Sequence, residues 1–144
     1  MLASWQSTPH VREWWDQEPY DDAGLADPKV SRWIVQCGGR PFAYMQDYSV
    51  HAWDEHPFSY LPLGARGIDQ FIGDPEMLGL GHGQGFIAAR MQALFDDGAP
   101  VIVTDPHPDN HRAIAAYRKV GFEPAGSPLQ TQWGLVLPML ARRK

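Results

Sequence analysis

The sequence predicts a mixed α/β domain, and three observations carry that expectation. "SRWIVQCGGRPFAYMQDYSV" is a pair of alternating runs about Gly38-Gly39, the signal of a β-hairpin. "RGIDQFIG" is a short apolar run followed by the glycine-rich "LGLGHGQGF", after which Ile87, Met91 and Leu94 recur at i, i+4 and i+7, so strand, turn and helix follow one another. "PVIVTD" is a continuous β-branched run of the kind covered on both faces, and the helical pattern "NHRAIAAYRKV" comes next. Strands that alternate with helices in the middle of a chain, with strand hairpins on either side, build a mixed sheet flanked by helices.

The remaining elements follow in order. In "MLASWQSTPHVREWWDQ" the apolar residues Leu2, Trp5, Val11, Trp14 and Trp15 fall at roughly helical spacings and Pro9 suits a helix start, so two short helices are expected. "PYDDAGLADP" is acidic and flanked by prolines, and reads as a loop. Residues 51–66 are rich in His, Pro and aromatic side chains without a period and read as a second loop. The helix after the glycine stretch should end near Gly98. Asp109 is the expected N-cap of the next helix and Gly121 its end. "FEPAG" and "TQWGLVLPML" supply one strand each.

Composition narrows the class of function. With 144 residues, 44% hydrophobic and 20% charged, the chain has the make-up of one globular domain, expected to span residues 1–144. The single Cys37 excludes an internal disulfide framework and a cysteine-rich zinc site, and fits a reducing compartment. No apolar run reaches membrane-spanning length and no signal peptide opens the chain, so a cytoplasmic protein is expected. A formal charge of -5, with no basic cluster except the terminal "ARRK", argues against a nucleic-acid surface and mildly favours a cationic ligand. His51, His56, His107 and His111 have no spacing that suggests a shared metal.

The glycine stretch is either a plain turn or a cradle for phosphate. Backbone N–H groups at a helix start attract anions, and Gly81, Gly83 and Gly85 remove side chains that would hold a ligand off. A nucleotide P-loop needs Gly-Lys-Ser/Thr, and no lysine occurs between Lys29 and Lys119. The dinucleotide fingerprint needs G-x-G-x-x-G, and the spacing here is G-x-G-x-G-x-G.

A second stretch separates the readings. "TDPHPDNHRAIAAYRKVGF" resembles the segment D-P-x-x-x-N-x-R-A-I-x-x-Y-x-K-x-G-F of the GNAT superfamily of acetyl-CoA-dependent N-acetyltransferases, with Asp105, Pro106, Asn110, Arg112, Ala113, Ile114, Tyr117, Lys119, Gly121 and Phe122 in register. "LGLGHG" takes the place of that superfamily's R/Q-x-x-G-x-G/A loop, with Leu78 where Arg or Gln is usual. "RGIDQFIGDPEMLGLGHGQGF" and the early "HVREWW" are similar to stretches of the aminoglycoside 6'-N-acetyltransferases. The resemblance implies a mostly antiparallel GNAT sheet lacking the superfamily's first strand, which leaves the sheet one strand short or completed by another chain, as in a homodimer.

What the resemblance implies about chemistry is direct acetyl transfer from acetyl-CoA to an amine of a small cationic molecule. Asp69 is expected to bind and deprotonate that amine, and Tyr117 to donate a proton to the departing sulfur. Structural readings stand beside both: Asp69 paired with Arg66 or capping a turn, and Tyr117 as a core residue. The coenzyme A site is expected to comprise Phe71, Ile72, Leu78, Gly79, Leu80, Gly81, His82, Gly83, Gln84, Asn110, Ala113 and Tyr117, with His82 given no catalytic part. Trp14, Trp15, Asp69 and Asp105 would face the acceptor. An acidic residue found near the end of the drug-acetylating enzymes is not evident in "SPLQTQW". That leaves a siderophore-type hydroxylamine, an amino-acid side chain, or a non-catalytic coenzyme-A-binding module as alternatives to an aminoglycoside-like acceptor.

Overall fold

The computed structural model describes residues 5, 8–12, 30–52, 57–74, 76, 82–131 and 134–143. Six strands form one sheet in the order β1-β2-β3-β4-β8-β5. They are β1 (Val30–Cys37), β2 (Arg40–Ser49), β3 (Arg66–Ile72), β4 (Val101–Thr104), β5 (Glu123–Pro124) and β8 (Met139–Arg142). Every neighbouring pair is antiparallel except β3 and β4, which run parallel. A parallel pair needs a crossover, and the helix α2 (His82–Asp96) supplies it. The helix α3 (His111–Lys119) links β4 to β5.

The β1–β2 turn is the predicted one, with Gly38 and Gly39 at φ of 56° and 81°, a left-handed pair that L side chains rarely adopt. Cross-strand partners share a face, so the β2–β3 register sorts the side chains. Ala43, Met45, Asp47 and Ser49 stand with Ile72, Gln70, Ile68 and Arg66 on one face, and Tyr44, Gln46 and Tyr48 stand with Phe71, Asp69 and Gly67 on the other. The first face packs on both helices: Met45, Ile68, Ile87, Met91, Leu94, Ile102, Tyr117 and Phe122 make one buried cluster. The second is covered by the loop after β2, where Tyr48, Val50, Phe58, Leu61, Val101 and Val103 make another. All four residues of β4 are buried, as a strand covered on both faces requires.

Near the start the helical segment α1 (Pro9–Arg12) is described and Trp5 before it is helical, while the rest of the expected first helix lies outside the described residues. Two expectations change. "TQWGLVLPML" holds two strands rather than one, β7 (Gly134–Val136) and the start of β8, and its Thr131 ends a third, β6 (Leu129–Thr131); β6 and β7 pair as a separate hairpin, and β8 begins after Pro138, which has no N–H to donate to a ladder. Asn110, not Asp109, caps α3, because its Oδ1 accepts the Ala113 N–H at 3.3 Å.

Candidate active site

The parallel pair holds together only at Arg66 with Ile102 and Gly67 with Val103. Beyond that β3 continues to Ile72 while β4 stops at Thr104, so the two strands part and the β4-facing edge of Asp69–Ile72 has no strand partner among the described residues. An open sheet binds ligands outside the carboxyl ends of its strands, and this opening is such a place.

Asp69 stands beside the opening on the face away from the helices. Its carboxylate accepts from Gln46 Nε2 at 3.1 Å, and Gln46 Oε1 in turn accepts the Tyr44 hydroxyl at 2.8 Å. Tyr44 and Gln46 are buried, so the chain fixes the half-buried carboxylate in orientation. The alternative structural reading of Asp69, a pair with Arg66, is not met: Arg66 Nη2 bonds Asp47 at 2.6 Å on the opposite face. Asp105 follows β4 directly and is half-buried. Tyr48 feels the charge of both acids, and its ring covers Gly67 so closely that any Cβ there would overlap it. Burial raises the Tyr48 hydroxyl well above the usual tyrosine range, and the charges of Asp69 and Asp105 raise it further.

Tyr117 approaches the same opening from the helix side. It lies in the second half of α3, buried in the core and edge-on to Phe122 with ring centroids 5.6 Å apart. Its hydroxyl accepts a hydrogen bond from Gln70 Nε2. Burial pushes its pKa far up and the nearby charges of Asp69 and Asp105 add to this, while the polar side chains of Thr104 and Gln70 pull it down. At neutral pH the group is therefore a protonated donor.

The other expected residues divide. Phe71 packs against Tyr44, with centroids 5.4 Å apart, and edge-on to Trp5 at 6.5 Å. Ile72 joins Phe42, Ala43 and Phe86 in a small cluster, and its carbonyl is bonded by His10 Nε2 at 2.8 Å. Helix α2 opens at His82, so Gly83 and Gln84 sit in its first turn, where N–H groups have no partner within the helix. Arg40 pairs with Asp74 and Glu76 and ties the β1–β2 turn to the start of this segment. Asn110 spends its oxygen on the cap of α3, and Ala113 is partly buried against the main core. Leu78, Gly79, Leu80, Gly81, Trp14 and Trp15 lie outside the described residues.

Sequence reading missed Gln46, Tyr48 and Gln70. Strand alternation was the available signal, since Gln46 and Tyr48 follow Tyr44 on one face and Gln70 must point opposite to Asp69.

The chain matches the model of the acetyltransferase (GNAT) domain over residues 1–127. It belongs to the GNAT acetyltransferase family. Curated GNAT relatives include the type 1 aminoglycoside N(6')-acetyltransferases of Klebsiella pneumoniae and Serratia marcescens, each 36% identical over 143 residues, with 88% of this chain and 70% of the relative covered. Solved GNAT structures that resemble it include the aminoglycoside acetyltransferase AAC(6')-Ib in complex with coenzyme A, at 33% identity and a TM-score of 0.87 over 99% of this chain and 88% of that one. The same enzyme with coenzyme A and kanamycin matches at 35% identity and a TM-score of 0.86, over 99% and 88% of the two chains. As a GNAT member the chain is an acyltransferase, and the family's acyl donor is acetyl-CoA. The site suits that donor: the parted edge of β3 offers main-chain partners to an extended pantetheine arm, and the start of α2 offers N–H groups to a pyrophosphate. Among the described residues no cluster of His, Cys, Asp or Glu could hold a metal.

Proposed function

We propose that this acetyltransferase moves the acetyl group of acetyl-CoA onto an amine of an aminoglycoside-like polycation. The observation that carries the reading is the parted β3–β4 pair, with the Asp69 carboxylate on one side of the opening and the Tyr117 phenol on the other. A thioester seated in that opening has a base for the incoming ammonium on one face and an acid for the departing sulfur on the other. Asp69 and Asp105 supply negative charge where a cationic acceptor arrives. Relatives that bind kanamycin support the choice of acceptor, as does the kanamycin resistance protein of Rhizobium radiobacter, 45% identical over 65 residues, with 44% of this chain and 60% of that protein covered.

In this mechanism Gln46 holds Asp69 in the orientation that receives the ammonium, and Asp69 takes its proton directly or through water. The amine attacks the carbonyl carbon. Tyr117 then protonates the sulfur as the carbon–sulfur bond breaks. The proposed location is the cytoplasm, where acetyl-CoA is available; among the described residues no helix is long and apolar enough to cross a membrane. Self-association through the edge strand β1 is a separate proposal, checked by light scattering.

Release of free thiol from acetyl-CoA should be followed with kanamycin-type drugs, polyamines, hydroxylamine siderophore precursors and lysine as acceptors. Turnover with the drugs in preference to the others is expected. Turnover with hydroxylamines alone would assign the acceptor differently, and coenzyme A binding without turnover on any amine would overturn the enzymatic reading.

A further inference from the structure

Register sorts the sheet face that carries Asp69 into rows. Arg32, Gln46 and Asp69 form one row across β1, β2 and β3, and Ile34, Tyr44 and Phe71 form the next. On the other side of the polar row, Val30 and Tyr48 pack with Phe58 and Leu61 of the loop after β2. The acid and the apolar row therefore lie side by side, about 7 Å apart along β3, because residues two apart on a strand share a face.

Trp5 closes the apolar row at the end of β3. Its indole stands edge-on to Phe71, with ring centroids 6.5 Å apart, and lies against Gly73 so closely that any Cβ there would overlap it. Hydrogen bonds hold its segment to that spot. The Thr8 hydroxyl and N–H both donate to the Trp5 carbonyl, at 2.6 and 3.0 Å, and His10 Nε2 bonds the carbonyl of Ile72 at 2.8 Å. The indole is thus fixed against a strand position that only glycine can fill, and it still keeps part of its surface exposed.

We propose that Trp5 is a wall of the acceptor subsite, the surface on which the ring that bears the reacting amine stacks. The inference rests on the reading of the acceptor as an aminoglycoside-like polycation. The carbon–hydrogen faces of an amino sugar are made partly positive by its ammonium groups, and such a face is drawn to the electron-rich face of an indole. With its ammonium on Asp69, the ring extends along β3 past Phe71 and meets Trp5 at the far end of the row. Gly73 then has a place in function, since a side chain there would push the indole off the strand. The stacking contact is the same before and during bond making, so it bears on affinity rather than on the chemical step.

The test is steady-state kinetics of Trp5→Leu, Trp5→Phe and Gly73→Ala with kanamycin as acceptor, after thermal melting of each variant. Trp5→Leu should raise KM for kanamycin about fivefold or more, with kcat and KM for acetyl-CoA within about twofold, the pattern of binding lost equally in ground and transition states. Trp5→Phe keeps an aromatic face and should keep KM within about twofold of the native value. Gly73→Ala displaces the indole and should raise KM for kanamycin as Trp5→Leu does, and joining the two substitutions should add little. A fall in kcat with KM unchanged, equal rises in KM for both substrates, or no change would overturn the assignment of Trp5 and leave the acceptor class standing. Failure of the native chain to acetylate kanamycin would instead sink the acceptor reading, and this inference with it. If Trp5→Leu does not fold, quenching of tryptophan fluorescence by kanamycin decides. Quenching should fall by about half or more in Trp5→Phe, and equal quenching in the two chains would overturn the proposal.

Discussion

A carboxylate buried inside a sheet must either lose its charge or be surrounded by donors, and Asp47 takes the second course. It accepts from Arg66 Nη2 at 2.6 Å, from Arg90 Nε at 2.8 Å and from the Trp33 indole at 2.8 Å, while the Arg90 guanidinium lies 4.7 Å from the centre of the Trp33 ring. One side chain thus joins β1, β2, β3 and α2. Burial raises its pKa, but the bonds from Arg90, Trp33 and Arg66 outweigh this and hold it below the usual value. Replacing it by Asn leaves two partly buried arginines without their counter-charge. Breaking a buried pair costs about 3–5 kcal/mol, and partial exposure of both arginines brings the expected loss nearer 2 kcal/mol, measurable by urea unfolding at neutral pH. Asp69 carries a different prediction. Asp69→Asn should lower kcat by about 100-fold with little change in melting temperature, since its role is to take a proton rather than to hold the sheet. Its place beside the glycine-loop strand was legible in "RGID", whereas its freedom from Arg66 was not, because only strand register decides which acid an arginine meets.

Helix α3 shows how local chemistry sets an element and how a neighbour can redirect it. Both Asp109 and Asn110 are good capping residues, so sequence alone leaves the helix start ambiguous by one position. The fold chooses Asn110, and Asp109 instead lies exposed with its carboxylate 3.9 Å from the His107 ring. Asn110→Ala should therefore cost about 1 kcal/mol while Asp109→Ala costs almost nothing, a difference that thermal melts of the two variants would read. Strand β3 carries the sharper case. Gly67→Ala would drive a methyl into the buried Tyr48 ring, so a loss of about 1–3 kcal/mol is expected together with lower activity, because Gly67 lies two residues before Asp69 on the same face of β3. Melting temperature and kcat measured on one preparation check both parts. The strand split at Pro138 was present in the sequence as a proline within an apolar run, yet which side of it paired with β4 depends on distant residues.

On the scale of the molecule, ligand binding and pH act through these same groups. Coenzyme A that binds the folded chain alone must raise its melting temperature, by about 2.7 kcal/mol of stability at 100 times its dissociation constant, and a thermal-shift titration would show it. A carboxylate with a lowered folded pKa gives stability that is fully present above its unfolded value. For Asp47 that contribution is lost as the pH falls from about 4 through the lower folded value. The stability gap between the native chain and Asp47→Asn should accordingly be constant near neutrality and shrink below about pH 4, as denaturant titrations at several pH values would reveal. By itself the sequence determined the order and type of the main elements, the Gly38-Gly39 turn and the motif that places Tyr117 and Asn110, because these follow from short-range periodicity, capping and turn chemistry. Only the tertiary structure decided that Arg66 serves Asp47, that Gln46 aligns Asp69, and that Gln70 meets the Tyr117 phenol. Those contacts join residues 19 to 47 positions apart, and their partners are set by sheet register and by where β3 and β4 separate, which no local pattern records.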